Sequence, residues 1–161
     1  MQQHQIQVSF DEYQDSHSLN PQDAALLEAA RLATQLAYAP YSKFQVGAAA
    51  RLSNGMILKG SNQENASFPA GLCAERVLLS ICASLYPSIP VIDMAISYHN
   101  QLGNSNRPIS PCGICRQSLA EYQTVVNHPI RLILGGIEGK VLVIEKATDL
   151  LPLAFTSVDM K

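Results

Sequence analysis

The chain has 161 residues, 47% of them hydrophobic and 15% charged, which places it among globular proteins and excludes the high-charge, low-apolar composition of disordered ones. That length suits one ordinary domain and is too short for two of full size. A net charge of −2 with no run of Lys and Arg excludes the footprint of a polyanion-binding surface, so the expected substrate is small and weakly charged, and no nucleic acid is expected as a partner.

Residues 1–19 read as an N-terminal extension before a domain at 20–161. They have neither the basic start nor the apolar block of a targeting segment, and no stretch of the chain is apolar for long enough to span a membrane. The extension is rich in Gln and reads as weakly ordered, although Ile6, Val8 and Phe10 alternate as in an edge strand. Four cysteines without a secretory signal point to the reducing cytoplasm, where thiols serve a metal or catalysis rather than disulfides.

Asn20 is a good helix cap and Pro21 a good first helical residue, and Leu26, Ala29, Ala30, Ala33 and Leu36 recur at helical spacing, so a first helix is expected up to about Pro40. Phe44 to Leu52 and Met56 to Lys59 flank Asn54-Gly55, a strong hairpin signal. A second helix follows from Cys73 to Tyr86, with Val77, Leu78, Ile81, Cys82 and Leu85 on its buried side. Val91 to Ser97 reads as a strand, His99 to Pro108 as a polar loop and Cys112 to Tyr122 as a third helix. Ile130 to Leu134 and Val141 to Ile144 read as strands, and Leu150-Leu151-Pro152 closes a short final helix. This alternation predicts a three-layer α/β/α domain with a mixed sheet of about five strands.

The chemistry lies in the cysteines. Cys112-Gly-Ile-Cys115 opens a helix after Pro111, where the helix dipole favours thiolates. A CxxC unit alone fits either a redox pair or a metal, but Cys73, at another helix start, offers a third ligand. Three protein ligands are the count of a catalytic zinc site, whose remaining tetrahedral position stays free for water. Glu75, two residues after Cys73, is near enough to act as a proton shuttle without ligating. Three thiolates overcompensate Zn²⁺, so a nearby cation is wanted, and Arg76 and Arg116 are candidates to donate to the sulfurs, Arg76 first.

Three segments, AYAPYSKFQVGAA (37–49), NQENASFPAGLCAER (62–76) and SPCGICRQ (110–117), resemble cytidine deaminase, as does LLPLAF at 150–155. The CAE and PCxxC elements are shared by all zinc deaminases, and the other segments are similar to the small homotetrameric cytidine deaminases. The resemblance implies one Zn²⁺ per subunit and hydrolytic deamination of cytidine and deoxycytidine in pyrimidine salvage. It further implies that Asn62 and Glu64 bind the ribose hydroxyls, that Phe44 packs beside the pyrimidine, and that backbone groups near Ala74 and Ser110 orient the base. Phe155 would stack on the base in a neighbouring subunit of a homotetramer with shared sites. Phe68 stands where such proteins often carry Tyr, and the loop from His99 to Arg107 is longer than usual.

Plainer readings stand beside these. Cys82 lies on an apolar helical stripe and reads as core, and the four histidines lie outside every motif. Taken without the resemblance, Asn62 and Glu64 read as turn formers, and Phe44 and Phe155 as core residues. Two rival functions are a deaminase of a modified nucleoside such as blasticidin S and a non-catalytic structural zinc module, which would need a fourth ligand.

Overall fold

The computed structural model describes residues 1–160. A strand β1 (Asp11–Tyr13) precedes helix α1 (Pro21–Ala33), the hairpin β2 (Phe44–Leu52) and β3 (Ile57–Ser61), helix α2 (Ala74–Leu85) and strand β4 (Val91–Asn100). Helix α3 (Gly113–Val126) and strands β5 (Arg131–Gly135) and β6 (Val141–Ile144) complete the fold, followed by 3-10 turns at Ala147–Leu150 and Ser157–Met160.

The six strands form one mixed sheet in the order β1-β6-β5-β4-β2-β3, in which only β4 and β5 run parallel. Strand residues alternate between two cores, as a period of two requires. Ala48, Ala50, Met94, Ile96, Leu132 and Leu134 pack with Leu78 of α2 and Leu119 of α3, whereas Ala49, Ala95 and Ile133 pack with Leu26, Leu27 and Ala30 of α1. The predicted three layers are therefore present.

α1 begins as expected, with the Asn20 side chain accepting a hydrogen bond from the Asp23 amide at 2.9 Å. It ends at Ala33 rather than near Pro40, passing into a 3-10 turn at Thr34–Leu36. Close approaches set the helix positions. A Cβ at Gly47 would stand 2.1 Å from the Ala30 carbonyl oxygen, and one at Gly60 would stand 2.8 Å from the Ala74 carbonyl oxygen and 2.8 Å from the Leu78 nitrogen. Bare backbone at Gly60 thus lets the first turn of α2 lie directly on β3.

Several boundaries differ from the sequence expectation. The sheet has six strands because the extension supplies β1, paired with β6 by the register Asp11↔Val143. The pairing falls after the alternating segment: Ile6, Val8 and Phe10 remain exposed, while Tyr13 packs on the α1-side core. Nor is the segment after β1 loose, since Asp15 caps a 3-10 turn at Ser16–Ser18 through the His17 and Ser18 amides. β4 runs on to Asn100 because β2 pairs with it along its whole length, leaving a shorter loop than expected. α3 continues past Tyr122 to Val126 and stops where Asn127 adopts the left-handed conformation. The final helix is a 3-10 turn that ends at Leu150.

Candidate metal centre and its cavity

Cys73 caps α2 and Cys112 caps α3, so both helix N-termini converge on the same point. The sulfurs of Cys73, Cys112 and Cys115 all lie within 4.8 Å of one another, with 3.7 Å between Cys73 and Cys112 and 3.4 Å between Cys112 and Cys115. A zinc–sulfur bond of about 2.3 Å and tetrahedral angles require sulfurs about 3.8 Å apart. The trio fits Zn²⁺, and all of its members are free thiols. No fourth His, Cys, Asp or Glu joins the group among the described residues.

The cluster carries its own electrostatic signature. A hydrogen bond from Cys115 draws the Cys73 thiol down to about 6, assisted by Cys112 and the Arg76 charge and opposed by burial. Cys115 is pushed up by its hydrogen bond to Cys73 and by burial, because a second anion beside the first is costly. Glu75, in the first turn of α2, is 4% exposed. Burial raises its carboxyl above the ordinary carboxylate range, and the Cys73 thiolate adds to the push. A raised carboxyl beside a sulfur cluster suits a group that both takes up and gives back a proton.

Beside the sulfurs opens a cavity of about 780 Å³, whose lining includes Tyr41, Ser42, Phe44, Val46, Asn62 and Glu64 together with Ala74, Ile109 and Ser110. Cys73, Glu75 and Cys112 line it too, so the chemistry and the room for a ligand coincide. The Asn62 side chain accepts from the Val46 amide at 2.7 Å and donates to the Phe44 carbonyl at 3.0 Å. The Glu64 carboxylate accepts from the Tyr41 amide at 2.8 Å and the Ser42 amide at 3.3 Å. The Ser42 side chain, with these amides, holds that carboxyl below its usual range. Glu64 therefore does form turn hydrogen bonds, whereas Asn62 clasps the start of β2, and both line the cavity. Glu64 secures a turn in which Lys43 takes a left-handed φ of 57°, directly before Phe44.

The two arginines separate. Arg116 donates to the Pro111 carbonyl at 2.8 Å and the Leu150 carbonyl at 3.0 Å, fastening the cysteine loop to the C-terminal segment rather than reaching a sulfur. Arg76 borders a groove between α2 and α3 and acts on Cys73 through its charge. Next to Arg116, Gln117 donates to the Phe155 carbonyl at 2.9 Å. Phe155 is 60% exposed and does not line this chain's cavity. Sequence reasoning missed Tyr41, Ser42 and Ile109 as cavity residues. The first two lie inside the AYAPYSKFQVGAA segment, which was their only signal, and Ile109 follows the loop that ends in Pro108.

Comparison with known proteins agrees with this geometry. Residues 20–128 match the model of the cytidine and deoxycytidylate deaminase zinc-binding region. A cytidine deaminase from Halalkalibacterium halodurans is 38% identical over 84% of this chain and 95% of its own length. A crystal structure of cytidine deaminase from Burkholderia pseudomallei superposes with a TM-score of 0.70 at 38% identity, covering 81% of this chain and 97% of that one. A blasticidin-S deaminase from Bacillus cereus is 28% identical over 86% of this chain and 96% of its own length. With its sulfur triad, its buried glutamate and these similarities, the chain belongs to the cytidine and deoxycytidylate deaminase family of zinc-binding proteins.

Proposed function

We propose that this protein is a zinc-dependent hydrolase that deaminates cytidine and deoxycytidine to uridine and deoxyuridine, releasing ammonia. The observation that carries the reading is a cluster of three free sulfurs, two of whose cysteines line one ligand-sized cavity together with the buried Glu75. Cys73, Cys112 and Cys115 would hold one Zn²⁺ per chain. When bound there, Zn²⁺ lowers the pKa of the attacking water so that hydroxide forms at neutral pH.

Glu75 does the proton work. It takes a proton from the attacking water and delivers it to N3 as the C4–O bond forms, leaving C4 tetrahedral. It then carries the remaining hydroxyl proton to the exocyclic amine, the C4–N bond breaks, and ammonia leaves as the C4 carbonyl forms. Phe44 offers a flat face to the base, Asn62 and Glu64 meet the ribose hydroxyls with hydrogen-bonding capacity left over from their backbone contacts, and backbone groups at Ala74 and Ser110 orient the pyrimidine. Arg76 supplies a positive charge against the thiolates, and Arg116 keeps the cysteine loop in place.

The active form is a homotetramer in which Phe155 enters a neighbour's cavity. The exposure of Phe155, of Leu153 at 93% and of Phe68 at 77% supports this, because apolar side chains so placed call for a cover. Residues 20–161 form the catalytic domain, with 1–19 an extension that lends it an edge strand. The cytoplasm suits four unpaired cysteines. No helix among the described residues is long and apolar enough to cross a membrane.

Loss of ultraviolet absorbance on cytidine, deoxycytidine and blasticidin S, with and without a chelator, tests the reading. Turnover of the first two that disappears on chelation and returns with Zn²⁺ supports it. Turnover of blasticidin S alone would transfer the site to the modified nucleoside, and no ammonia from any of them would leave a structural zinc module. Sedimentation of the zinc-loaded protein tests the tetramer.

A further inference from the structure

The wall of the cavity is two rings thick at one place. β2 and β4 are antiparallel, with Val46 opposite Tyr98 and Phe44 opposite Asn100, so Phe44 and Tyr98 are diagonal neighbours on one face of the sheet. Diagonal pairs stand about 7–8 Å apart at the backbone, within reach of aromatic side chains. Here their rings stack, with centroids 4.9 Å apart and planes inclined by 18°. Phe44 lines the cavity together with Val46, Cys73 and Glu75. Tyr98 does not line it and is 3% exposed, so it occupies the space behind the Phe44 ring.

A phenylalanine ring at a cavity wall turns about two bonds, and a flat ligand packs on it at one orientation only. With Tyr98 stacked on its rear face, the Phe44 ring meets the ligand already oriented. Without that backing, the ring would have to be ordered each time a substrate binds, and ordering a side chain weakens binding. We propose that Tyr98 is a positioning residue of the deamination site, holding Phe44 at the angle at which the pyrimidine packs against it. The proposal rests on the reading that Phe44 faces the base. Tyr98 touches neither the base nor the metal, so its influence passes entirely through one side chain.

Such a role has a kinetic signature. Packing against Phe44 serves ground state and transition state alike, so its loss raises KM and leaves kcat nearly untouched. We expect Tyr98→Leu to raise KM for cytidine roughly three- to tenfold, the effect of ordering one side chain on binding. We also expect kcat to change less than twofold and zinc content to stay at one per chain. Tyr98→Phe, which keeps the stacked ring and loses only the hydroxyl, should restore the parent KM. Combined with Phe44→Ala, Tyr98→Leu should add nothing further, because the residue through which it acts is gone. An unchanged KM in Tyr98→Leu while Phe44→Ala raises it would overturn the proposal, as would full additivity in the double variant. If Phe44→Ala itself leaves KM unchanged, the base-packing reading of Phe44 fails and the proposal goes with it, whereas the zinc and Glu75 reading stands. Should Tyr98→Leu not fold, Tyr98→Met fills the space without a flat face, and the same split between KM and kcat decides.

Discussion

Glu75 and its sulfur neighbours make opposite demands on the same few ångströms. The thiolates must be anionic to hold a cation, while the carboxyl benefits from a raised affinity for protons, and its burial beside Cys73 raises it. Glu75→Gln keeps the shape and removes the exchangeable carboxyl proton. It should retain zinc, measured as metal per chain, and lose about 10²–10⁴-fold in turnover, measured as ammonia release. Spacing made Cys73 and Glu75 legible as neighbours at one helix start and Cys112 and Cys115 at another, whereas the meeting of the two starts, 39 residues apart in the chain, was legible only by matching the pattern to that of zinc deaminases. The partners of Arg116 were not legible. Its acceptors are backbone carbonyls, one of them on Leu150, and a carbonyl has no sequence signature. Asn62 and Glu64 were legible as polar turn residues and, through the resemblance, as cavity residues; both line the cavity, but only Glu64 bonds a turn, while Asn62 bonds the start of β2.

At the scale of elements, two close approaches and one charge network set the helices on the sheet. At Gly60 a methyl group would collide with backbone atoms of α2, which cannot move aside without shifting Cys73 at its cap. Gly60→Ala should therefore destabilise the fold by about 1–3 kcal/mol and weaken zinc binding, read by thermal melts and by competition with a chromophoric chelator. On the other face, Asp23 of α1 joins Arg131 of β5 at 2.7 Å and Arg51 of β2 at 3.4 Å, and Arg51 also meets Asp93 of β4 at 2.6 Å. Burial of Asp23 works against its ionisation, but hydrogen bonds and charge from Arg131, with help from Asn20 and Arg51, hold its carboxyl below the ordinary range. A carboxylate depressed by folding contributes stability that is complete above its unfolded pKa of about 4 and is lost as the pH falls through the folded value. Arg131 also meets Glu145 at 3.1 Å and Asp93 at 3.4 Å, so Asp23→Asn removes one of three acids facing it and should cost about 1–3 kcal/mol near neutrality, and the variant's melting temperature should fall less than that of the parent between pH 5 and pH 3.

The helices were legible in kind and position because their apolar periodicity and caps are strong local signals. Their ends were less so, since α1 hands over to a 3-10 turn and α3 runs on past Tyr122. The end of β4 was hidden for a different reason. Whether His99 and Asn100 are strand or loop depends on β2 continuing beside them, a contact between segments more than fifty residues apart.

At the scale of the molecule, the parallel pair β4 and β5 lies in the middle of the sheet between helices on both faces, and antiparallel strands extend it to either side. Strand order of this kind does not follow from strand count, and a strand in the N-terminal extension could have joined either edge. It joined β6. That position matters because β6 reads Val-Leu-Val-Ile with no charge in it, and β1 covers its free side with Asp11 and Glu12, the latter paired to Lys140 at 2.6 Å. A bare apolar strand edge is a template for other chains, whereas a three-residue edge carrying two acids is a poor one. Removal of residues 1–13 should leave the zinc ligands intact and the protein prone to precipitate, with light scattering rising at concentrations where the full chain stays clear. None of the residues of the extension lines the cavity, and what it presents to neighbouring copies is a short acidic edge in place of the bare apolar one of β6, so its expected part is to keep the chains from polymerising through their sheets.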